Sequence, residues 1–278
     1  MNRIIFLGSG GGRQMCASQM RKTGGMYFEF GQPHEEFGFS LDPGPGALVH
    51  AISLGLDPVK WKGVVVSHHH IDHTNDMNVI IDAISTNEKK EKSYPFVIAE
   101  EQLITEGRKD APYPYLTKYH STIVKKAHAL KHGESVMIGK VEFVATKALH
   151  YAPNNGYVIK CDKLKIGYPA DGSYYPGQEK QFECCDVLIL NCPWPKGHDA
   201  PKNIHMTLDD AIALVKAIKE KPKLVVLSHL SPLILRSNLF KQEKIFMDAT
   251  KVRCISAEDF MEIDLDTLKT RILHPVQK

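Results

Sequence analysis

Ten residues constrain this chain more than any others: Val64-Val65-Val66-Ser67-His68-His69-His70-Ile71-Asp72-His73. Three β-branched residues run into four imidazoles and a carboxylate. That pattern predicts a buried strand ending in a polar loop, with a helical turn beyond it. His68 and His70 are two apart, so on an extended segment they point the same way. Asp72 and His73 follow where the chain begins to curl, and can face a second ion beside the first. Imidazole nitrogen and carboxylate oxygen suit zinc, with iron and manganese as competitors. Two adjacent ions would form a hydrolytic arrangement. The alternatives are a surface histidine cluster or a purification tag, and a tag would be terminal and would not follow Val-Val-Val.

Other ligand-capable residues also follow apolar runs, where open sheets place their chemistry. His150 comes after an expected strand over 141–145, Asp171 after one over 164–168, and His229 after one over 224–227. Further strands are expected at 4–7, 25–31, 37–41, 61–67, 96–99, 136–138, 157–160, 187–190 and, as the last element, 252–255. Helical spacing marks 47–54, 77–84, 207–220 and 238–250, with a short helix at 100–106. Thr207 is placed to cap its helix, with Asp209 and Asp210 complementing the dipole. The run Gly8-Ser9-Gly10-Gly11-Gly12 is not a dinucleotide fingerprint, because position 13 is Arg. It reads as a turn whose backbone approaches something closely. Residues 85–93 read as a solvated loop, and the aromatic, proline-rich 107–122 as a packed surface loop, a lid or a dimer contact.

Composition excludes some classes. The chain has 278 residues, room for one large domain or two small ones, with a single domain over 1–278 expected; at 43% hydrophobic and 24% charged it does not have a disordered composition. A net charge of +3 is too small to argue for nucleic acid by itself. Six cysteines without C-x-x-C spacing read as free thiols in a reducing cytoplasm, not as a disulfide framework. No stretch approaches a membrane span, and the first residues read as a strand rather than a signal peptide.

The H-x-H-x-D-H stretch resembles the signature of the metallo-β-lactamase-fold hydrolases, in the dinuclear branch, and residues 1 to about 265 can be laid on that family. The resemblance implies an α/β (α+β) fold, a four-layer αββα sandwich of two mixed sheets flanked by helices. It implies two divalent metal ions, zinc first and Mn2+ or Fe2+ as alternatives. His68, His70 and His150 would hold one ion, Asp72, His73 and His229 the other, and Asp171 would bridge both. Asp42 matches a family position that supports the metal loop by hydrogen bonding. The glycine run would lie near the active-site mouth. A bridging hydroxide would attack phosphorus or a carbonyl carbon, with Asp72 orienting it. His205, in His205-Met206-Thr207, resembles the His-Ser/Thr element of the phosphodiesterase branch and would protonate the leaving alkoxide.

The ligand set and His205 resemble the ribonuclease Z and phosphoribosyl cyclic phosphodiesterase group more than lactamases. A phosphodiesterase acting on a small or cyclic phosphodiester or nucleotide is the first expectation. A ribonuclease Z-like RNA endonuclease and a thioester or lactone hydrolase are the alternatives; a structural or redox iron site is a third. The ribonuclease carries an RNA-gripping arm between its third histidine and its bridging Asp, whereas here only 21 residues separate His150 from Asp171. The group's His-Glu-Ala element is replaced by Leu190-Asn191-Cys192-Pro193. A homodimer is left open, and no membrane partner is expected.

Overall fold

A computed structural model describes residues 2–32, 35–86, 95–105 and 115–276. The loop expected at 85–93 and the 107–114 part of the aromatic stretch lie outside these residues, apart from positions 85 and 86. The chain forms two compact units. The first comprises residues 1–9, 21–130 and 258–278, and the second residues 10–20 and 131–257.

In the first unit, eight strands form one mixed sheet. They are β1 (Arg3–Phe6), β2 (Met26–Phe30), β3 (Phe37–Leu41), β4 (Gly63–Val66), β5 (Phe96–Ala99), β6 (Lys126–Ala129), β14 (Met261–Asp264) and β15 (Thr270–Ile272). Their order is β15-β14-β1-β2-β3-β4-β5-β6, antiparallel as far as β3 and parallel from β3 to β6. The unit's helices are α2 (Ala47–Ser53), α3 (Ile71–Thr74), α4 (Met77–Ser85), α5 (Glu101–Ile104) and α6 (Lys118–Ile123). Helix α4 buries Met77, Ile80, Ile81 and Ile84 at helical spacing. They pack with Ala47 and Ala51 of α2 against Val64, Val66, Val97 and Ala99 of the central strands. Each Met, Ile or Val among them contributes about 1.5–3 kcal/mol on burial. That anchors β4, and with it the loop that leaves its end.

The second unit has a seven-stranded mixed sheet. Its strands are β7 (Ser135–Ile138), β8 (Val141–Lys147), β9 (Asn155–Cys161), β10 (Leu164–Tyr168), β11 (Val187–Asn191), β12 (Leu224–Ser228) and β13 (Arg253–Ser256). They lie in chain order from β13 to β7, parallel from β10 to β13 and antiparallel from β7 to β10. Helices α1 (Arg13–Ser18), α7 (Leu208–Ala217), α8 (Pro232–Arg236) and α9 (Leu239–Thr250) complete it. Leu208, Ala211, Val215, Ile234 and Phe246 from three of these helices share a core with Leu188, Leu190, Val225 and Leu227.

Helix α7 stops at Ala217 rather than running on to residue 220 as its periodicity predicts. Ile218 turns extended (φ −60°, ψ 128°), and the Glu183 carboxylate accepts the amides of Lys219 and Glu220. A tertiary acceptor replaces the helical one there. Nor is 252–255 the last element, because β14 and β15 follow it. Among the described residues no helix is long and apolar enough to cross a membrane.

Candidate metal centre

In the first unit, β4 delivers the chain to Ser67, and the next residues are shaped by one carboxylate. Asp42 Oδ1 accepts the Ser67 amide at 2.6 Å, and Oδ2 accepts the Ser67 hydroxyl at 2.7 Å. The same Oδ2 lies 2.9 Å from His73 Nδ1. A carboxylate facing an imidazole nitrogen accepts, so Nδ1 carries the proton and Nε2 keeps the lone pair. Since the Ser67 hydroxyl proton goes to Asp42, its oxygen accepts from His68 Nδ1, 2.9 Å away. His68 Nε2 therefore also keeps its lone pair. One buried carboxylate sets the tautomer of two imidazoles, the usual task of a group behind metal-binding histidines. Asp42, Ser67, His68 and His73 are all at most 3% exposed.

The backbone does as the spacing predicts. His70 is extended (φ −62°, ψ 146°), and Ile71 begins the one-turn helix carrying Asp72 and His73. His68 Nε2 and His70 Nδ1 converge to 2.8 Å. Asp72 Oδ2 and His73 Nε2 lie 3.4 Å apart. Two atoms bound to one tetrahedral ion, each about 2.0–2.1 Å from it, stand roughly 3.3 Å apart. The Asp72–His73 pair has that spacing, and the His68–His70 pair is about half an ångström tighter; both offer the donor chemistry of divalent ions. His69 turns elsewhere, its ring 5.9 Å from that of Tyr115.

In the second unit the donors come from four segments. Asp171 follows β10 through Ala170, whose φ is 59°, and its carbonyl accepts from Asn154 Nδ2 at 2.7 Å. His229 follows β12 with φ 56°, a left-handed residue that turns the chain out of the strand. The main chain of Gly11 packs directly on its ring: a β-carbon there would meet His229 Cδ2 at 2.0 Å. His205 precedes α7, whose first turn is closed by a capping box between Thr207 and Asp210. Buried Met206 and the 3.0 Å bond from the Leu208 amide to the Trp194 carbonyl fix that segment. His150 donates from Nδ1 to the Ile204 carbonyl at 2.7 Å, which leaves the lone pair on Nε2.

Asp171 Oδ2 lies 3.4 Å from His229 Nε2 and also 3.4 Å from His205 Nδ1. The ligand atoms of Asp171, His205 and His229 fall within 4.8 Å of one another. His205 is therefore closer to the carboxylate than a role confined to the leaving group requires, with its ring centroid 5.0 Å from that of His229. The sequence reading passed over three contributors, Ser67, Asn154 and Asn191. Only the last had a signal, as the departure from His-Glu-Ala. Burial pushes the neighbouring Cys192 thiol far up, which favours its protonated form. All six cysteines are free.

Comparison with known proteins gives the family and the fold. Residues 39–230 match the Beta-lactamase superfamily domain. An uncharacterised protein of Methanocaldococcus jannaschii is 30% identical over 228 residues, 82% of each chain. The metallo-β-lactamase-fold protein YhfI of Bacillus subtilis superposes with a TM-score of 0.76 at 18% identity, covering 94% of this chain and 98% of that one. The short form of human tRNase Z gives a TM-score of 0.65 at 18% identity, covering 95% and 99%. The chain belongs to the β-lactamase superfamily. It is a metal-dependent hydrolase of the metallo-β-lactamase fold, resembling the ribonuclease Z branch, and that fold implies divalent metal ions.

Proposed function

We propose that this chain is a dinuclear phosphodiesterase acting on a small or cyclic phosphodiester or nucleotide in a reducing cytoplasm, working as a single functional domain. His68, His70 and His150 would hold one ion, Asp72, His73 and His229 the other, with Asp171 shared. The observation that carries the reading is the buried Asp171 carboxylate, whose Oδ2 lies 3.4 Å from Nε2 of the candidate ligand His229 and 3.4 Å from Nδ1 of the candidate acid His205. Zinc is the first choice for both ions, because imidazole nitrogen and carboxylate oxygen both suit it, with Mn2+ or Fe2+ as the alternatives. When bound, such ions polarise a phosphoryl oxygen and bring the pKa of water to about 7 from about 15.7.

The chain's own residues do the rest. Asp42 and Ser67 keep the lone pairs of His68 and His73 available. Asp72 accepts a hydrogen bond from the attacking water. His205 gives a proton to the leaving alkoxide, held in place by the capped start of α7. The family neighbour acting on tRNA supports phosphodiester chemistry. A small substrate is favoured because β9 and β10 pair as a hairpin over most of the stretch between His150 and Asp171, where the resemblance to the ribonuclease group would call for an RNA-gripping arm.

The test is a parallel assay of bis(p-nitrophenyl) phosphate, a cyclic nucleotide, a precursor tRNA and a thioester panel, together with metal analysis. Two ions per chain and turnover of the small phosphodiesters are expected. Turnover of thioesters alone, or fewer than two ions per chain, overturns the reading.

A further inference from the structure

We propose that Asn191, backed by Tyr168, is a positioning residue that selects which oxygen of Asp171 faces the imidazoles. The inference rests on Asp171 being a metal ligand, as proposed above. It gives a role to the segment where this chain departs from the His-Glu-Ala of the resembled group.

Asn191 is the last residue of β11, and Tyr168 the last of β10. These strands run parallel with Gly167 opposite Leu188, so β11 ends two residues beyond β10, and the Asn191 side chain reaches the end of its neighbour. Asn191 Nδ2 lies 2.8 Å from Asp171 Oδ1 and 2.9 Å from the Tyr168 hydroxyl. A carboxylate oxygen only accepts, so the amide nitrogen must face it. The second hydrogen of that nitrogen goes to Tyr168, which fixes the plane of the amide. All three residues are at most 2% exposed, so water does not compete for these bonds.

Asp171 is thereby held at two places. Its main chain is pinned by Asn154 and by the bond from the Ser173 amide to the Leu149 carbonyl, at 3.0 Å. Its Oδ1 is engaged by Asn191. Rotation of the carboxylate would break that bond, so Oδ2 is the oxygen directed at His205 and His229. A neutral donor suits the position. An aliphatic side chain would strip Oδ1 of its donor, and a carboxylate would set two anions against each other.

The experiment uses the full chain, stripped of metal and reloaded with zinc. Asn191→Leu, Tyr168→Phe and the double variant are compared with the unaltered protein by chelator competition, by thermal unfolding without metal, and by kcat and KM on bis(p-nitrophenyl) phosphate. Asn191→Leu should weaken zinc binding about 10–100-fold, the usual cost of removing a group behind a ligand. Tyr168→Phe should weaken it less, and the double variant should be no weaker than Asn191→Leu alone, because the two act through one bond. Wild-type affinity in a folded Asn191→Leu protein overturns the proposal, as does a lowered melting temperature with unchanged affinity, or losses that multiply in the double variant. If Asn191→Leu does not fold, unchanged affinity in Tyr168→Phe overturns it. Fewer than two ions on the unaltered chain would instead sink the dinuclear reading. The Asn191 inference is then judged on the affinity of whatever ion remains.

Discussion

Gly11 and His229 touch with no room between them. A β-carbon on Gly11 would stand 2.0 Å from Cδ2 and 2.3 Å from Cγ of the ring, so the whole imidazole would have to move. The close approach expected of the glycine run is thus made by backbone against a candidate ligand. Gly11→Ala should cut hydrolysis and metal retention at least tenfold while the chain remains folded. Metal analysis beside circular dichroism would check this, and full activity in the variant would mean that the ring's position does not matter.

Asp42→Asn tests the tautomer argument. Asn tolerates the left-handed backbone at this position (φ 50°), so the fold should survive. The amide can offer only one acceptor oxygen where three donors now converge on two. A nitrogen turned towards His73 would demand the other tautomer and occupy its Nε2 with a proton. Zinc affinity should fall about 10–100-fold. Lost hydrogen bonds to a buried carboxylate should also lower stability by about 1.5–3 kcal/mol. Titration with a chromophoric chelator and urea unfolding measure the two effects.

His205→Ala separates two roles. As the acid, His205 contributes about 10²–10⁴-fold to turnover, and its loss should be felt most by substrates with poor leaving groups. Metal content should stay at the wild-type level. Its 3.4 Å approach to Asp171 makes the metal measurement decisive: an ion lost along with the activity would make His205 a ligand.

Asp171→Ala should release one or both ions and abolish turnover, since its carboxylate is the proposed shared ligand. Equilibrium dialysis against zinc counts what remains. A fully metallated, fully active variant would remove Asp171 from the centre.

Much of this was written locally in the chain. Strand ends read from apolar runs agree with the structure to within a residue or two, because β4, β11 and β12 are buried along their whole length and therefore uniformly apolar. The extended-then-helical geometry at His70 and Ile71 followed from spacing alone. What escaped depended on distant partners. β6 reads Lys-Ala-His-Ala, weak strand formers that are extended because β5 lies alongside. The shortened end of α7 needed Glu183, and the role of Asn191 needed Tyr168 and Asp171, 23 and 20 positions away. No window along the sequence contains those meetings.

The position of β14 beside β1 has a consequence for how the molecule is made. Arg3 pairs in register with Asp264, and its guanidinium reaches Glu262 at 3.0 Å. On the ribosome, the opening strand must therefore wait, with one side unzipped, until some 260 later residues have been delivered. The edge of β1 stays open until β14 has been made, so a product stalled or clipped before that strand would present an open edge to its neighbours.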